Sequence, residues 1–407
     1  MTLDEAQALD AADPFAQGRA RFALPQDIIY FDGNSLGALP VETAGRIAKT
    51  VEQEWGGDLI ASWNKHDWIG VSQRLGARIA PLIGAQPKEV LVADSTSINL
   101  FKLLAAALRA RPERKTILSE AGNFPTDLYI AQGLVGLVPN VRLRTVAPEE
   151  IEAAIDDDTA VLMLTEVDYR SGRRHDMSAL TAAAHRAGAL ALWDLSHSAG
   201  AIAVDLNGAG ADLAVGCGYK YLNGGPGAPA FLFVARALQD DLASPLSGWM
   251  GHAEPFAFDP GYRPADGITR FQSGTPSIIA LAALEAGLAT FDGMTMADLE
   301  AKSRALSQSF IELAEERCPD LTLASPHDPA QRGSHVVFAH PDAYAVMQAL
   351  IGRGLIGDFR APDLIRFGFA PLYNGYADVW RAVEIIADVL DGRSWDEPRF
   401  RTRARVT

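Results

Sequence analysis

Cysteine is scarce: the 407 residues hold two, Cys217 and Cys318. A pair so far apart provides neither a disulfide framework nor a CxxC metal or redox site, and it suits a reducing cytoplasm. Positive charge is also short, with 36 Lys and Arg against 51 Asp and Glu and a net charge of −15. Nucleic acid is therefore an unsuitable partner, since a phosphate backbone calls for a basic footprint. Long apolar runs are missing. Glu285 interrupts the stretch Ile278–Leu288, and Met1-Thr2-Leu3-Asp4-Glu5 is acidic where an export signal is basic, so neither membrane insertion nor export is expected. Internal repeats and low-complexity segments are absent too. So are GxSxG, HExxH and Walker A sequences, which removes the anchors for serine-hydrolase, zinc-protease and P-loop readings. Gly216-Cys217-Gly218 has Tyr221 where a dinucleotide fingerprint needs its third glycine.

What the chain does have is 48% hydrophobic residues, enough for sizeable cores, in a length that fits about two domains. Short apolar runs alternate with longer amphipathic stretches: Val90–Val92 before a helix over Ser97–Arg109, Thr116–Leu118 before Asp127–Val135, and Val161–Thr165 before Met177–Ala187. This rhythm predicts parallel βαβ units, continued by buried strands at Leu190–Asp194, Leu213–Gly216 and Ala230–Val234. From Ser277 the pattern turns to long helices, Ser277–Phe291 and Met296–Arg317. Ser334–Ala339, a helix near Ala343–Arg353 and a strand at Leu364–Phe369 complete a smaller α+β unit. The expected organisation is an N-terminal segment 1–44 contributing to the small domain, a large domain 45–276 and a small domain 277–407. The basic tail Arg399–Arg405 reads as a solvated end.

Three features point to chemistry. Asp194 ends a buried strand, at the edge where open α/β sheets bind ligands; alone, it is as well explained as a helix cap. Lys220 sits in Gly218-Tyr219-Lys220-Tyr221-Leu222-Asn223-Gly224-Gly225, a setting that suits a Schiff base with pyridoxal 5'-phosphate (PLP); alone, it reads as a surface lysine in a glycine-rich turn. Asp94-Ser95-Thr96-Ser97 supplies hydroxyls and backbone donors at a helix N-terminus, which fits a phosphate and equally a routine cap. PLP needs all three: an amine, a carboxylate at the pyridinium nitrogen and a phosphate cradle. No metal is called for.

Four blocks, Tyr30-Phe31-Asp32-Gly33-Asn34-Ser35-Leu36-Gly37, Asn123-Phe124-Pro125-Thr126-Asp127, Asp194-Leu195-Ser196-His197-Ser198 and Gly218–Asn223, together resemble the kynureninase family of fold-type I PLP enzymes. The matching blocks run in the family's order from about residue 30 to Asn374. The resemblance implies that Lys220 carries the cofactor, Asp194 pairs with its ring nitrogen, and Phe124 stacks on the ring. Pro125, Thr126, Asp127 and His197 lie beside it. Thr96, Ser97 and Tyr219 hold the phosphate, while Trp249 and Thr275 come from the second subunit of a homodimer. Arg366, in Leu364-Ile365-Arg366-Phe367-Gly368, matches the arginine for the substrate α-carboxylate, and Ser35 and Trp63 are candidate contacts to the amino acid and its aryl ring. Tyr219 is also a candidate for proton transfer.

The activity so implied is hydrolysis of L-kynurenine, and of 3-hydroxy-L-kynurenine, to anthranilate or 3-hydroxyanthranilate and L-alanine, a step of tryptophan breakdown. The rivals within the fold type are a cysteine desulfurase and a class V aminotransferase. Neither cysteine has the setting of a desulfurase nucleophile: Cys217 falls on a buried strand and Cys318 at a helix end.

Overall fold

The structure is a computed structural model and describes residues 1–403; the last tail residues, 404–407, lie outside the described set. Thirteen strands are described: β1 (Ile29–Tyr30), β2 (Val90–Val92), β3 (Thr116–Glu120), β4 (Arg142–Val146), β5 (Thr159–Thr165), β6 (Leu190–Asp194), β7 (Leu213–Gly216), β8 (Phe231–Val234), β9 (Thr322–Leu323), β10 (His335–Ala339), β11 (Leu355–Ile356), β12 (Asp358–Arg360) and β13 (Leu364–Gly368). Seven of them form one sheet in the order β2-β8-β7-β6-β5-β3-β4. Strands β3 to β7 pair in parallel, whereas β8 is antiparallel to both of its neighbours, β7 and β2. The sequence rhythm places this strand after a Gly-rich turn in a mainly parallel sheet; the structure makes it antiparallel, as the connection 217–230 carries no crossover helix.

Both faces of this sheet are covered, so its strands are apolar on both sides. In β6, Ala191 and Trp193 enter one core, with Leu118, Leu164 and Phe233, while Leu190 and Leu192 enter the opposite one, with Ile117, Met163 and Leu232. The helix Thr96–Ala110 follows β2 through Asp94, which adopts φ +49, and it is capped by Ser95 Oγ accepting from Ile98 N.

The second sheet, β12-β13-β10-β9, is antiparallel and backed by the helices Met296–Arg317, Ala343–Gly352 and Tyr376–Asp391. Beside it, β1 pairs in parallel with β11, which ties the N-terminal segment to this unit. Phe310 stands at the centre of its core, among Phe31, Phe338, Phe367 and Phe369. A boundary at Ser277 does not follow the packing. The helix Ile278–Ala289 sends Leu281, Leu284 and Leu288 into the core of the large sheet, so the large unit continues past it. The described part of the basic tail also folds back instead of lying free: Arg401 pairs with Asp342 and Asp396, and the Arg403 guanidinium lies 5.3 Å from the Phe359 ring. Among the described residues no helix is long and apolar enough to cross a membrane.

Candidate active site

The polar residues collect at the carboxyl ends of β5, β6 and β7. Thr165 and Asp194 are register partners at the last positions of β5 and β6, and β7 leads directly into Cys217 and Lys220. Asp194 is 3% exposed, and its Oδ1 accepts from the backbone N–H of Ser196 at 2.6 Å. Asp127, in the first turn of the helix Pro125–Val135, is buried beside it. Burial first, and then the neighbouring Asp194, push the Asp127 carboxyl well above the usual carboxylate range. Burial raises the Asp194 carboxyl too, so the two titrate as a pair that favours holding a proton. Thr165 joins them, its hydroxyl donating to Asn123 Oδ1 and lying 3.5 Å from Asp127 Oδ2.

Lys220 is 9% exposed, and its Nζ lies 2.9 Å from Nε2 of His197 and 5.8 Å from the centre of the Phe124 ring. Burial and the Lys220 ammonium hold His197 well below its ordinary pKa, so the neutral imidazole accepts from the lysine. Its Nδ1 is buried without a partner. Phe124 precedes the Pro125 that opens its helix and is 38% exposed, which leaves a ring face open toward the lysine. Pro125 and Thr126 complete that first turn, which fixes Phe124 and Asp127 on either side of it.

The phosphate-type end is tied to the acid end by a short chain of polar groups. Thr96 Oγ1 lies 3.3 Å from Cys217 Sγ, which lies 3.2 Å from Ser196 Oγ, next to Asp194. Ser97 sits half-buried in the first helical turn. Tyr219 is pushed up from its ordinary value, by burial first and then by Cys217, so it stands as a phenol able to donate. Tyr219, Ser35 and Thr275 share the wall of a cavity of about 540 Å³ with Asp94 and Ser95.

Arg366 is 1% exposed on β13 and bonds to Ser35 Oγ at 3.0 Å and to the Tyr169 carbonyl at 2.6 Å. Two predicted residues pack against other aromatic rings. Trp63 packs edge-on to Trp68 at 6.0 Å between ring centres, and Trp249, 39% exposed, packs against Phe256. The sequence reading missed Thr165, Asn123, Asn34 and Asp358. Thr165 carried a usable signal, a polar residue ending an apolar run in the same rhythm as Asp194.

The glycines around Lys220 serve the protein's own backbone more than an approaching ligand. A Cβ on Gly218 would run into the Pro229 carbonyl, and one on Gly37 into the carbonyl of Lys220 itself. Gly37 N donates to Tyr219 O at 2.8 Å, so the Tyr30–Gly37 block lies directly against the lysine loop.

These residues fit PLP. A buried pair of carboxyls near the Lys220 amine suits a pyridinium nitrogen, the orphaned His197 Nδ1 suits a polar ring substituent, and Lys220 Nζ lies 5.8 Å from the centre of the Phe124 ring. An aspartate closing one strand and a lysine following the next, on a seven-stranded sheet with a small α+β unit beside it, define the fold-type I class of PLP-dependent enzymes. Solved structures agree on the fold. The apo cysteine desulfurase of Thermococcus onnurineus NA1 superposes with a TM-score of 0.77 at 19% identity, covering 93% of this chain and 98% of its own. A lysine-to-alanine variant of C-DES with glycine linked to its PLP cofactor gives 0.77 at 18% identity, covering 91% and 99%.

Sequence relatives narrow the class. The kynureninase of Pseudomonas fluorescens is 54% identical over 414 residues, and that of Burkholderia mallei (strain SAVP1) 52%, each covering 100% of both chains. Residues 299–386 match the family model described as the kynureninase C-terminal domain. The chain belongs to the kynureninase family.

Proposed function

We propose that this chain binds PLP on Lys220 and hydrolyses L-kynurenine, and 3-hydroxy-L-kynurenine, to L-alanine and the corresponding anthranilate. The observation that carries the reading is the full-length match to kynureninases. The geometry supplies parts in keeping with it.

Bound PLP supplies an electron sink for the bond-breaking steps. Asp194, supported by Asp127, would hold the ring nitrogen in its protonated form, and Phe124 would stack on the ring. His197 receives a hydrogen bond from Lys220 and orients the amine. The Lys220 amine, when free, would be the group placed to take the Cα proton and return it elsewhere. Thr96 and Ser97 present hydroxyls and helix N–H groups to the phosphate. Arg366 takes the α-carboxylate, and Ser35 lies beside it. The Tyr219 ring centre lies 6.0 Å from Lys220 Nζ, and its phenol is suited to protonating the leaving carbon after water has added to the γ-carbonyl.

In this reading the enzyme is a homodimer in a reducing compartment, with Trp249 and Thr275 reaching the partner's cofactor and Trp63 the substrate aryl ring. Two unpaired, buried cysteines are in keeping with that compartment. They also disfavour the desulfurase alternative, as Cys217 is locked between Thr96 and Ser196 and burial pushes the Cys318 thiol up to about 12. The test is a paired assay of PLP-loaded protein, with anthranilate fluorescence on L-kynurenine and sulfide release on L-cysteine. Anthranilate without sulfide is expected; sulfide without anthranilate refutes the reading.

A further inference from the structure

Buried arginines need a counter-charge, and Arg366 has one inside the protein. Asp358 and Arg366 are direct register partners on β12 and β13, and both are almost fully buried, at 2% and 1% exposure. Arg366 Nε donates to Asp358 Oδ1 at 2.8 Å, and Nη2 donates to Asp358 Oδ2. The side edge of the guanidinium fork is thus filled by a carboxylate. Asp358 Oδ2 also accepts from Arg360 Nη2 at 2.8 Å and from Ser35 Oγ at 2.7 Å, so the acid is itself pinned. Asn34, with its amide oxygen toward the guanidinium, accepts from Nε and Nη2 at 3.0 Å.

Counting donors leaves one edge for a ligand. Nε is shared by Asp358 and Asn34, Nη2 by Asp358, Ser35 and Asn34, and Nη1 bonds the Tyr169 carbonyl, which leaves its second N–H. The end edge, Nη1 with Nη2, is therefore where a second carboxylate makes a bidentate contact, once the Ser35 hydroxyl turns aside. Ser35, the neighbour of this edge, lies on the wall of the 540 Å³ cavity together with Tyr219.

We propose that Asp358 is the positioning residue for substrate recognition: by clamping the side edge of Arg366, it restricts the substrate α-carboxylate to an end-on approach beside Ser35. The inference rests on the reading of Arg366 as the carboxylate-binding residue. A cross-strand pair on a small antiparallel sheet is a rigid mount, and orienting partners of this kind commonly change ligand affinity by about tenfold or more.

The test uses the PLP-loaded protein and Asp358→Asn. The KM for L-kynurenine is expected to rise at least about tenfold while kcat stays within about threefold, because a charge-assisted pair is lost in binding. A second readout leaves turnover aside: the spectral change of the bound cofactor on titration with L-alanine and with L-alaninamide, which lacks the carboxylate. Asp358→Asn is expected to collapse the preference for L-alanine by a similar factor. An unchanged preference, or a fall in kcat at constant KM, overturns the proposal. Should Asp358→Asn not fold, Asp358→Glu keeps the charge but shifts the clamp, and an unchanged preference there overturns it equally. Arg366→Lys separates the two levels: if it leaves the preference intact, the reading of Arg366 itself fails, whereas a collapse in Arg366→Lys alone refutes only the role of Asp358.

Discussion

Lys220 Nζ and His197 Nε2 stand 2.9 Å apart in a buried pocket, with the imidazole held neutral by burial and by the lysine's charge. A histidine held well below its ordinary range stays uncharged as pH passes through 6.5, where a free imidazole titrates. The profile of kcat/KM against pH should therefore show no inflection assignable to His197, and His197→Gln should leave its shape unchanged while lowering its height. A limb near pH 6.5 that vanishes in His197→Gln would contradict this.

Asp32 gives a pH effect of known sign. Burial, followed by the charge of Asp358, raises its carboxyl from 3.8 to about 7. The folded state thus holds this proton more tightly than the unfolded chain, and the contribution of Asp32 to stability falls as pH climbs from about 4 to about 7. Replacing it by Asn removes that loss. Measured by thermal denaturation, the difference in Tm between Asp32→Asn and the parent should be more favourable to the variant at pH 8 than at pH 5.5. A flat or reversed difference would show that the carboxyl titrates normally.

Phe310 packs edge-on to four phenylalanines, at 6.1 Å from Phe31, 6.0 Å from Phe338, 5.1 Å from Phe367 and 5.3 Å from Phe369. Phe310→Ala should cost about 3–5 kcal/mol in denaturant unfolding, the range for removing a fully buried aromatic side chain. Phe367 neighbours Arg366, so KM for substrate should rise along with the loss of stability. A cost below about 1 kcal/mol would mean that the cluster collapses around the gap.

Trp249 is 39% exposed in the single chain and packs edge-on to Phe256, which leaves it free to serve a partner's site. Mixing inactive Lys220→Ala with weakly active Trp249→Ala should restore activity toward a quarter of the parent value, because one site of the hybrid dimer then carries both native residues. Strictly additive activity of the mixture would assign Trp249 to its own chain.

Much of this was legible in the sequence because it depends on local pattern. Buried runs such as Leu190–Asp194 and Leu213–Gly216 announce strands on a doubly covered sheet, and the Met296–Arg317 helix is bounded as its periodicity predicts. Lys220, Asp194 and Thr96 stand at strand ends, where ligand chemistry concentrates. What was not legible depends on pairing across distance. The antiparallel β8, the cap of Gly37 on the lysine loop and the Asp358–Arg366 clamp each join segments with no local signature. Asp358 in particular, between Gly357 and Phe359, carries no local signal until β12 places it opposite Arg366.

The most direct test of the account is the product ratio from L-kynurenine. With PLP-loaded protein, anthranilate and L-alanine should form in a 1:1 ratio as kynurenine disappears, and neither should form with Lys220→Ala. Loss of kynurenine without alanine, or undiminished turnover by the lysine variant, would contradict the account at its centre.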